Sequence, residues 1–482
     1  MDFVAVFLVG LLLFPLSAIA QSYQNVSLGS SLTTSDVTTF WPSPSGEFAF
    51  GFQRIGNGSG FLLAIWFNKI TEKTIVWSAN KNSLAPDGSK VQLSTNGRLV
   101  LTDPNGRKMW ARPRAIAELA YGAMLDNGNF VLATSSSATA WQSFNKPTDT
   151  ILRGQVLNLD NSLVSSFSDT NSSIGRFKFI LQTDGNLVLY KVNYPAVDVT
   201  DAYWVTSSVG SGYQVIFNQS GYIFLQAKNG TLLNSIFSNG ENPGTQSMYH
   251  RAILEYDGVF RHYVYPKTSS GMQMEWSTLY YVPENICLAI SQDIGGGACG
   301  FNSLCSVVDR RPRCDCPLGY MLNDPNDKLG SCRRNFSEQD CNRESIEVEA
   351  FTFQEINNTN WPDSDYESYG GVSEDWCKQN CLSDCFCVVA IYSGNNICWK
   401  KRYPLSNGRK DPTVVGKALI KIRKDNSTMG SSTCQKRKKK NQSTLVISGS
   451  VLLASSIFMN LIALLYVFKF KGKKPKKIVV VP

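Results

Sequence analysis

Histidine is nearly missing from this chain. Its 482 residues include two, His250 and His262. Neither falls in a recognisable Ser/His/Asp or metal-ligand pattern, so imidazole-based zinc sites and serine-type hydrolysis are not expected. Cysteine is absent until Cys287, and all 13 cysteines lie at or beyond that position. Charged residues make up only 18% of the chain, and the formal net charge of +9 is concentrated in two places. Lys436, Arg437, Lys438, Lys439 and Lys440, with Lys469, Lys471, Lys473, Lys474, Lys476 and Lys477, supply 11 positive charges; without them the total is +9 − 11 = −2. A nucleic-acid partner is therefore not expected, because its basic footprint is lacking.

Those clusters flank an uncharged apolar run, residues 445–468. As a helix its 24 residues reach about 36 Å, enough for a hydrocarbon core of about 30 Å. A transmembrane helix over 444–468 is expected, after a basic juxtamembrane linker at 425–443 and before a cytoplasmic tail at 469–482. Residues 1–20 are apolar and end Ala18-Ile19-Ala20, the small-x-small pattern of a signal-peptidase site. An N-terminal anchor is the competing reading. Basic residues flank the span almost equally and do not orient it, so the signal peptide decides. The expected protein is single-pass type I at the plasma membrane, with its N-terminal part outside. Asn25, Asn57, Asn171, Asn218, Asn229, Asn335, Asn357 and Asn426 each open an Asn-x-Ser/Thr sequon, as an exported glycoprotein requires.

The cysteine-free part reads as all-β. It is rich in Thr, Val, Phe, Tyr, Trp and Gly, in short alternating runs. Gly, a variable residue and three apolar residues recur at 97–101, 128–132, 185–189 and 221–225, with a looser copy at 257–260. Such repeats predict several similar small sheets packed round shared axes. The third copy is the most informative. Residues 182–190 read Gln-Thr-Asp-Gly-Asn-Leu-Val-Leu-Tyr. Asp184-Gly185 predicts a hairpin turn between strands at 176–181 and 187–190. Asn186, Val188 and Tyr190 then share one face. Amide, carboxylate and phenol around an apolar floor suit a sugar, which offers hydroxyls and a C–H surface together.

Gln182, Asp184, Asn186, Val188 and Tyr190 fill all five positions of Q-x-D-x-N-x-V-x-Y, and the stretch resembles the mannose-binding motif of monocot, bulb-type lectins. The resemblance implies that Gln, Asp and Asn bind hydroxyls, Tyr takes the neighbouring one, and Val packs on ring carbons. An ordinary solvated hairpin is the bland alternative. The other copies depart from the pattern; the second, with Asn127, Asn129 and Val131, is the best candidate for a degenerate second site. Trp141-Gln142-Ser143-Phe144-Asn145-Lys146-Pro147-Thr148-Asp149-Thr150 resembles the W-Q-S-F-D-x-P-T-D-T signature of plant bulb-type lectin receptors, with Asn145 in place of Asp. Two lectin modules, at 21–153 and 154–280, are expected on this basis.

Cysteine density then predicts a disulfide framework in the exported part. Cys314-x-Cys316 resembles an EGF-like module, placed at 284–333. By that resemblance Cys287 pairs with Cys305, Cys299 with Cys314 and Cys316 with Cys332; spacing alone allows 15 pairings. Val282-Pro283-Glu284-Asn285 lacks the acidic preface of calcium-binding EGF modules, so no metal or other cofactor is expected. Residues 341–424 resemble a PAN/apple module, where the likeness implies Cys377–Cys398 and Cys381–Cys387. Cys341, Cys385 and Cys434 remain unassigned, and an intermolecular bridge through Cys434 is one use for them.

The order of segments resembles the plant G-type (S-domain, bulb-type) lectin receptor-like serine/threonine kinases. Yet no Gly-rich loop, β3 Lys, H-R-D or D-F-G follows the apolar run, so no enzyme is expected in this chain. The fold class expected is mainly β: tandem bulb-lectin β-prisms, EGF-like and PAN/apple-like modules and one membrane helix. The expected function is a cell-surface lectin for a mannose-type glycan or glycoprotein. It signals through a homo- or hetero-oligomeric, kinase-bearing co-receptor, or acts as a decoy. Two alternatives stand beside it: a protein-interaction ectodomain with degenerate lectin modules, and the truncated product of a lectin receptor kinase gene.

Overall fold

The computed structural model describes residues 25–424, apart from 57–59, 113–117, 193–198, 237–243, 245, 270, 272, 291–294 and 342–347. The expected signal peptide, juxtamembrane linker, membrane helix and tail, with Asn57, Asn426 and Cys434, lie outside the described residues. Among the described residues no helix is long and apolar enough to cross a membrane.

Among the described residues the cysteine-free part forms six four-stranded antiparallel sheets, three in each of two prisms. The repeats explain them. Leu99–Thr102, Phe130–Thr134, Leu187–Val192, Ile223–Ala227 and Phe260–Pro266 are each the third strand of a sheet. Their alternate residues point inward: Leu99, Leu101, Leu187, Leu189 and Leu225 are all fully buried. No single sheet of this size hides both faces of its apolar residues, so three close around each axis. The first prism gathers Phe50, Phe67, Leu99, Leu101 and Phe130 in its core. The second gathers Leu163, Phe177, Phe179, Leu187, Leu189, Phe217 and Phe260. Stacked rings anchor both, Phe50 on Phe130 at 4.1 Å and Phe179 on Phe260 at 4.5 Å. Each buried phenylalanine contributes about 2–3 kcal/mol.

The junction between prisms lies earlier than 153/154. Thr150–Leu152 pairs with Arg251–Ile253 and so belongs to the second prism, whose last strand is Ser277–Val282. The turn residues Pro147 to Asp149 end the first prism, and the chain enters the next sheet directly after them.

Among the described residues the cysteine-rich part holds six disulfides. Cys287–Cys305, Cys299–Cys314 and Cys316–Cys332 staple the hairpin of Leu304–Val308 and Arg311–Asp315 and the short pair Tyr320–Leu322 with Cys332–Arg334. A five-stranded sheet, Phe351–Asn357, Lys417–Arg423, Val389–Ser393, Ile397–Lys401 and Asp365–Gly370, follows under the helix Glu374–Leu382. Ser373 caps that helix by accepting from Trp376 N at 3.2 Å. Cys377–Cys398 ties the helix to the sheet, and Cys381–Cys387 closes its C-terminal end. Cys341 bonds Cys385, an assignment that spacing left open.

The cysteine-rich segments are less separate than two modules at 284–333 and 341–424 imply. Leu304, Tyr320 and Phe336 share one core with Phe351, Trp361 and Val389. Ile286, Cys287, Cys299 and Cys305 in turn extend the core of the second prism. A buried charge cluster joins the same two parts. Arg261 pairs with Glu255 and, at 2.8 Å, with Asp257, while Arg311 reaches Glu255 at 2.7 Å.

Candidate functional site

The sheet Ser162–Ser166, Ile174–Leu181, Leu187–Val192 and Val199–Val205 carries the five-residue motif. Ile180 opposes Val188 and Lys178 opposes Tyr190, so the register follows the expected hairpin. At its tip Gln182 N donates to Asn186 O at 2.8 Å and Gly185 N to Gln182 O at 2.9 Å. Gly185 takes φ +84°, and a Cβ there would lie 2.5 Å from Gly212 O. Both the left-handed backbone and the close neighbour demand glycine. Asp184 Oδ1 accepts from Asn186 N at 2.9 Å and fixes the turn. The segment 206–212 braces it from behind: Ser208 Oγ donates to Gly185 O at 2.8 Å, and Gly210 N to Asp184 O at 2.6 Å.

Gln182, Asn186, Val188 and Tyr190 lie on one side of this hairpin, with Asp184 at its tip. Leu187 and Leu189 point into the core, which turns Asn186, Val188 and Tyr190 the other way. Gln182 Nε2 donates to the Tyr190 phenol oxygen at 2.8 Å. Asn186 Oδ1 accepts from Ser208 N at 3.1 Å, which directs its Nδ2 donors away from that loop. Four polar functions remain for a ligand: Gln182 Oε1 and Asp184 Oδ2 accept, while Asn186 Nδ2 and the Tyr190 hydroxyl donate. Vicinal hydroxyls, each donor and acceptor at once, match that set. Val188 differs from expectation. It is 1% exposed, placed between Gln182 and Tyr190, and offers little surface to ring carbons.

The degenerate second site is corrected by the structure. Asn129 is buried, its Nδ2 donating to Gln142 Oε1 at 2.7 Å and its Oδ1 accepting from Ser143 Oγ at 3.1 Å and Phe144 N at 3.2 Å. The segment 142–144 folds back onto it and consumes the amide. Val131 is also buried, and Asn127 alone stays exposed, its Oδ1 accepting from Asn129 N at 3.1 Å. Of the sequon asparagines, Asn25, Asn171, Asn229 and Asn357 are exposed, and Asn218 and Asn335 are half-buried.

Two features escaped sequence reasoning. His250 and His262 meet in the second prism, with Nδ1 of His250 3.1 Å from Nε2 of His262. Burial, and next the charge of His250, push His262 down to about 3. Trp77, Trp110 and Trp141 line an apolar cavity of about 420 Å³ in the first prism. The signal for two of them was present: Trp110 stands as far after Gly97 as Trp141 does after Gly128.

Comparisons with known proteins match this architecture. Residues 74–169 match the family described as D-mannose binding lectin, and residues 341–407 match the PAN-like domain. The rice (Oryza sativa subsp. indica) G-type lectin S-receptor-like serine/threonine-protein kinase LECRK3 is 40% identical over 468 residues, covering 93% of this chain and 57% of the relative. The Arabidopsis thaliana kinase of the same description, RLK1, is 36% identical, covering 90% of this chain and 54% of the relative. The chain thus spans a little over half the length of these relatives. Among solved structures, the snowdrop mannose-specific agglutinin in complex with methyl-α-D-mannoside is 21% identical over 26% of this chain and 99% of its own, with a TM-score of 0.19. The two-domain Scilla campanulata agglutinin is 17% identical over 53% of this chain and 93% of its own, with a TM-score of 0.20. The chain thus joins a mannose-binding lectin match and a PAN-like match to 36–40% identity with G-type lectin S-receptor-like kinases over nine-tenths of its length.

Proposed function

We propose that this protein is a cell-surface lectin whose second prism binds a mannose-type glycan through Gln182, Asp184, Asn186, Val188 and Tyr190. The observation that carries the reading is their convergence: four unspent polar functions gather on one hairpin, at and beside a turn fixed by Asp184. A single shallow site of this kind binds a monosaccharide at about millimolar strength, or about −4 kcal/mol. Useful affinity then comes from clustering several copies at a membrane.

The placement follows from the sequence. Residues 1–20 export the chain, 444–468 anchor it, and the basic flank at 469–482 lies against anionic headgroups. The segment 284–333 acts as an EGF-like spacer, and exposed sequons carry glycans. Signalling passes through a kinase-bearing co-receptor in a homo- or hetero-oligomer, or the chain acts as a decoy.

The test is retention of the full chain, in detergent, on a mannose array. Asp184→Ala should abolish retention with the fold intact by circular dichroism; unchanged retention removes the lectin reading for this site. A second reading, a protein-interaction ectodomain with the prisms as scaffold, is favoured by the inward turn of Asn129 in the second copy. Self-association without any glycan bound would select it.

A further inference from the structure

The motif face does not stop at Tyr190. Lys178 opposes Tyr190 across the hairpin, and two residues further along the same faces come Arg176 and Val192, about 7 Å away. Arg176, Lys191 and Val192 there line a cavity of about 200 Å³ between the second prism and the first disulfide segment. Its far wall is backbone, because Gly296 lies so near Gly300 that a Cβ would fall 2.3 Å from the Gly300 carbonyl carbon. Arg176 pairs with Asp327 and lies over the Phe167 ring at 4.6 Å. Its Nη1 is nevertheless buried and has no hydrogen-bond partner among the described residues. Lys191 donates to the Gly297 carbonyl; burial, and then the nearby Arg176 charge, push it down to about 8. Two cations therefore face one carboxylate, in a space that admits a carboxylate and part of the ring bearing it.

We propose that this cavity is an acidic-sugar subsite contiguous with the motif, so that the preferred ligand is a mannose-terminated glycan whose neighbouring residue is a uronic acid. The carboxylate of that residue lies against the Arg176 and Lys191 side chains that line the cavity. The inference rests on the motif being the mannose site.

The experiment compares two probes on the full chain in detergent: a mannosyl-glucuronic acid disaccharide and its neutral mannosyl-glucose counterpart. At low salt the acidic probe should bind about tenfold tighter, as a charge-assisted contact provides, and the advantage should vanish at high salt. Arg176→Gln should erase the advantage while leaving the neutral probe unchanged. Asp327→Asn, which removes the opposing carboxylate, should enlarge the advantage and covers the case in which Arg176→Gln fails to fold. Equal affinity for both probes overturns the subsite while the mannose reading stands. If neither probe binds, the mannose reading falls and the subsite with it. Acidic-probe binding that survives Asp184→Ala overturns the continuity of the two.

Discussion

Gln182 and Tyr190 are tied across the hairpin by a 2.8 Å hydrogen bond, Nε2 to phenol oxygen, that spans the position of Val188. Since the phenol accepts from Gln182, its own proton is available to a ligand. Tyr190→Phe removes that donor and leaves the Gln182 amide without its acceptor. Mannose affinity should fall about tenfold, the worth of one hydrogen bond near 1.4 kcal/mol, with little change in Tm because both groups are partly solvated. Isothermal titration of the variant decides it; wild-type affinity would show that the phenol stays out of the ligand contact.

Gly185 tests the turn rather than the ligand contacts. Alanine would have to hold φ near +84° with its Cβ 2.5 Å from Gly212 O. Strain and overpacking together should cost about 2–4 kcal/mol. Urea unfolding should show this as a lower midpoint with an unchanged slope. The mutation should weaken binding too, because it moves Asp184 and Asn186 apart. A stable Gly185→Ala chain would mean that the 206–212 loop yields more easily than its hydrogen bonds to the turn suggest.

These sites also show what local sequence reveals. Turn chemistry and alternation are short-range, so the repeats at Gly97, Gly128, Gly185, Gly221 and Gly258 marked the third strands of five sheets. The sixth such strand, Gly60–Phe67, is buried at every position and shows no alternation to read. The hairpin at 176–192 was legible for the same reason, since its turn and both strands are local in the chain. Asn129 was misread because the residues that consume its amide, Gln142 to Phe144, return only through the fold. Val188 was misread because exposure depends on two neighbours leaning together. The histidine pair became visible only through register: His250 opposes Val264 and His262 opposes Ala252, which makes the rings diagonal neighbours.

The buried charge cluster predicts an unequal response to its two halves. Asp257 and Arg261 are both almost wholly buried and lie 2.8 Å apart. Asp257→Ala leaves the Arg261 and Arg311 guanidiniums to share Glu255, and a guanidinium cannot shed its proton. A cost of about 3 kcal/mol or more is expected. Arg261→Met should cost less, because burial already raises Asp257 and lets it take a proton. Its folded form then binds a proton that the unfolded form releases, so its stability relative to the native chain should rise on acidification from pH 8 to pH 5. Urea unfolding at both pH values checks the order and the sign.

The histidine pair sets the opposite trend in the native chain. His262 is buried against His250 and, in a T-shaped pair with centroids 5.1 Å apart, Phe217, and is held down at about 3. Unfolded, its imidazole titrates near 6.5. Between those values the unfolded chain takes up a proton that the folded chain refuses. This contribution is therefore intact above about pH 6.5 and is lost as pH falls towards 3. At pH 5 the loss is about 2 kcal/mol from this group. His262→Gln removes the titrating group, so its Tm should lie below the native value at neutral pH but fall less steeply between pH 7 and pH 4. Parallel Tm curves for the two chains would assign the acid sensitivity to other groups and leave the pair a packing contact only.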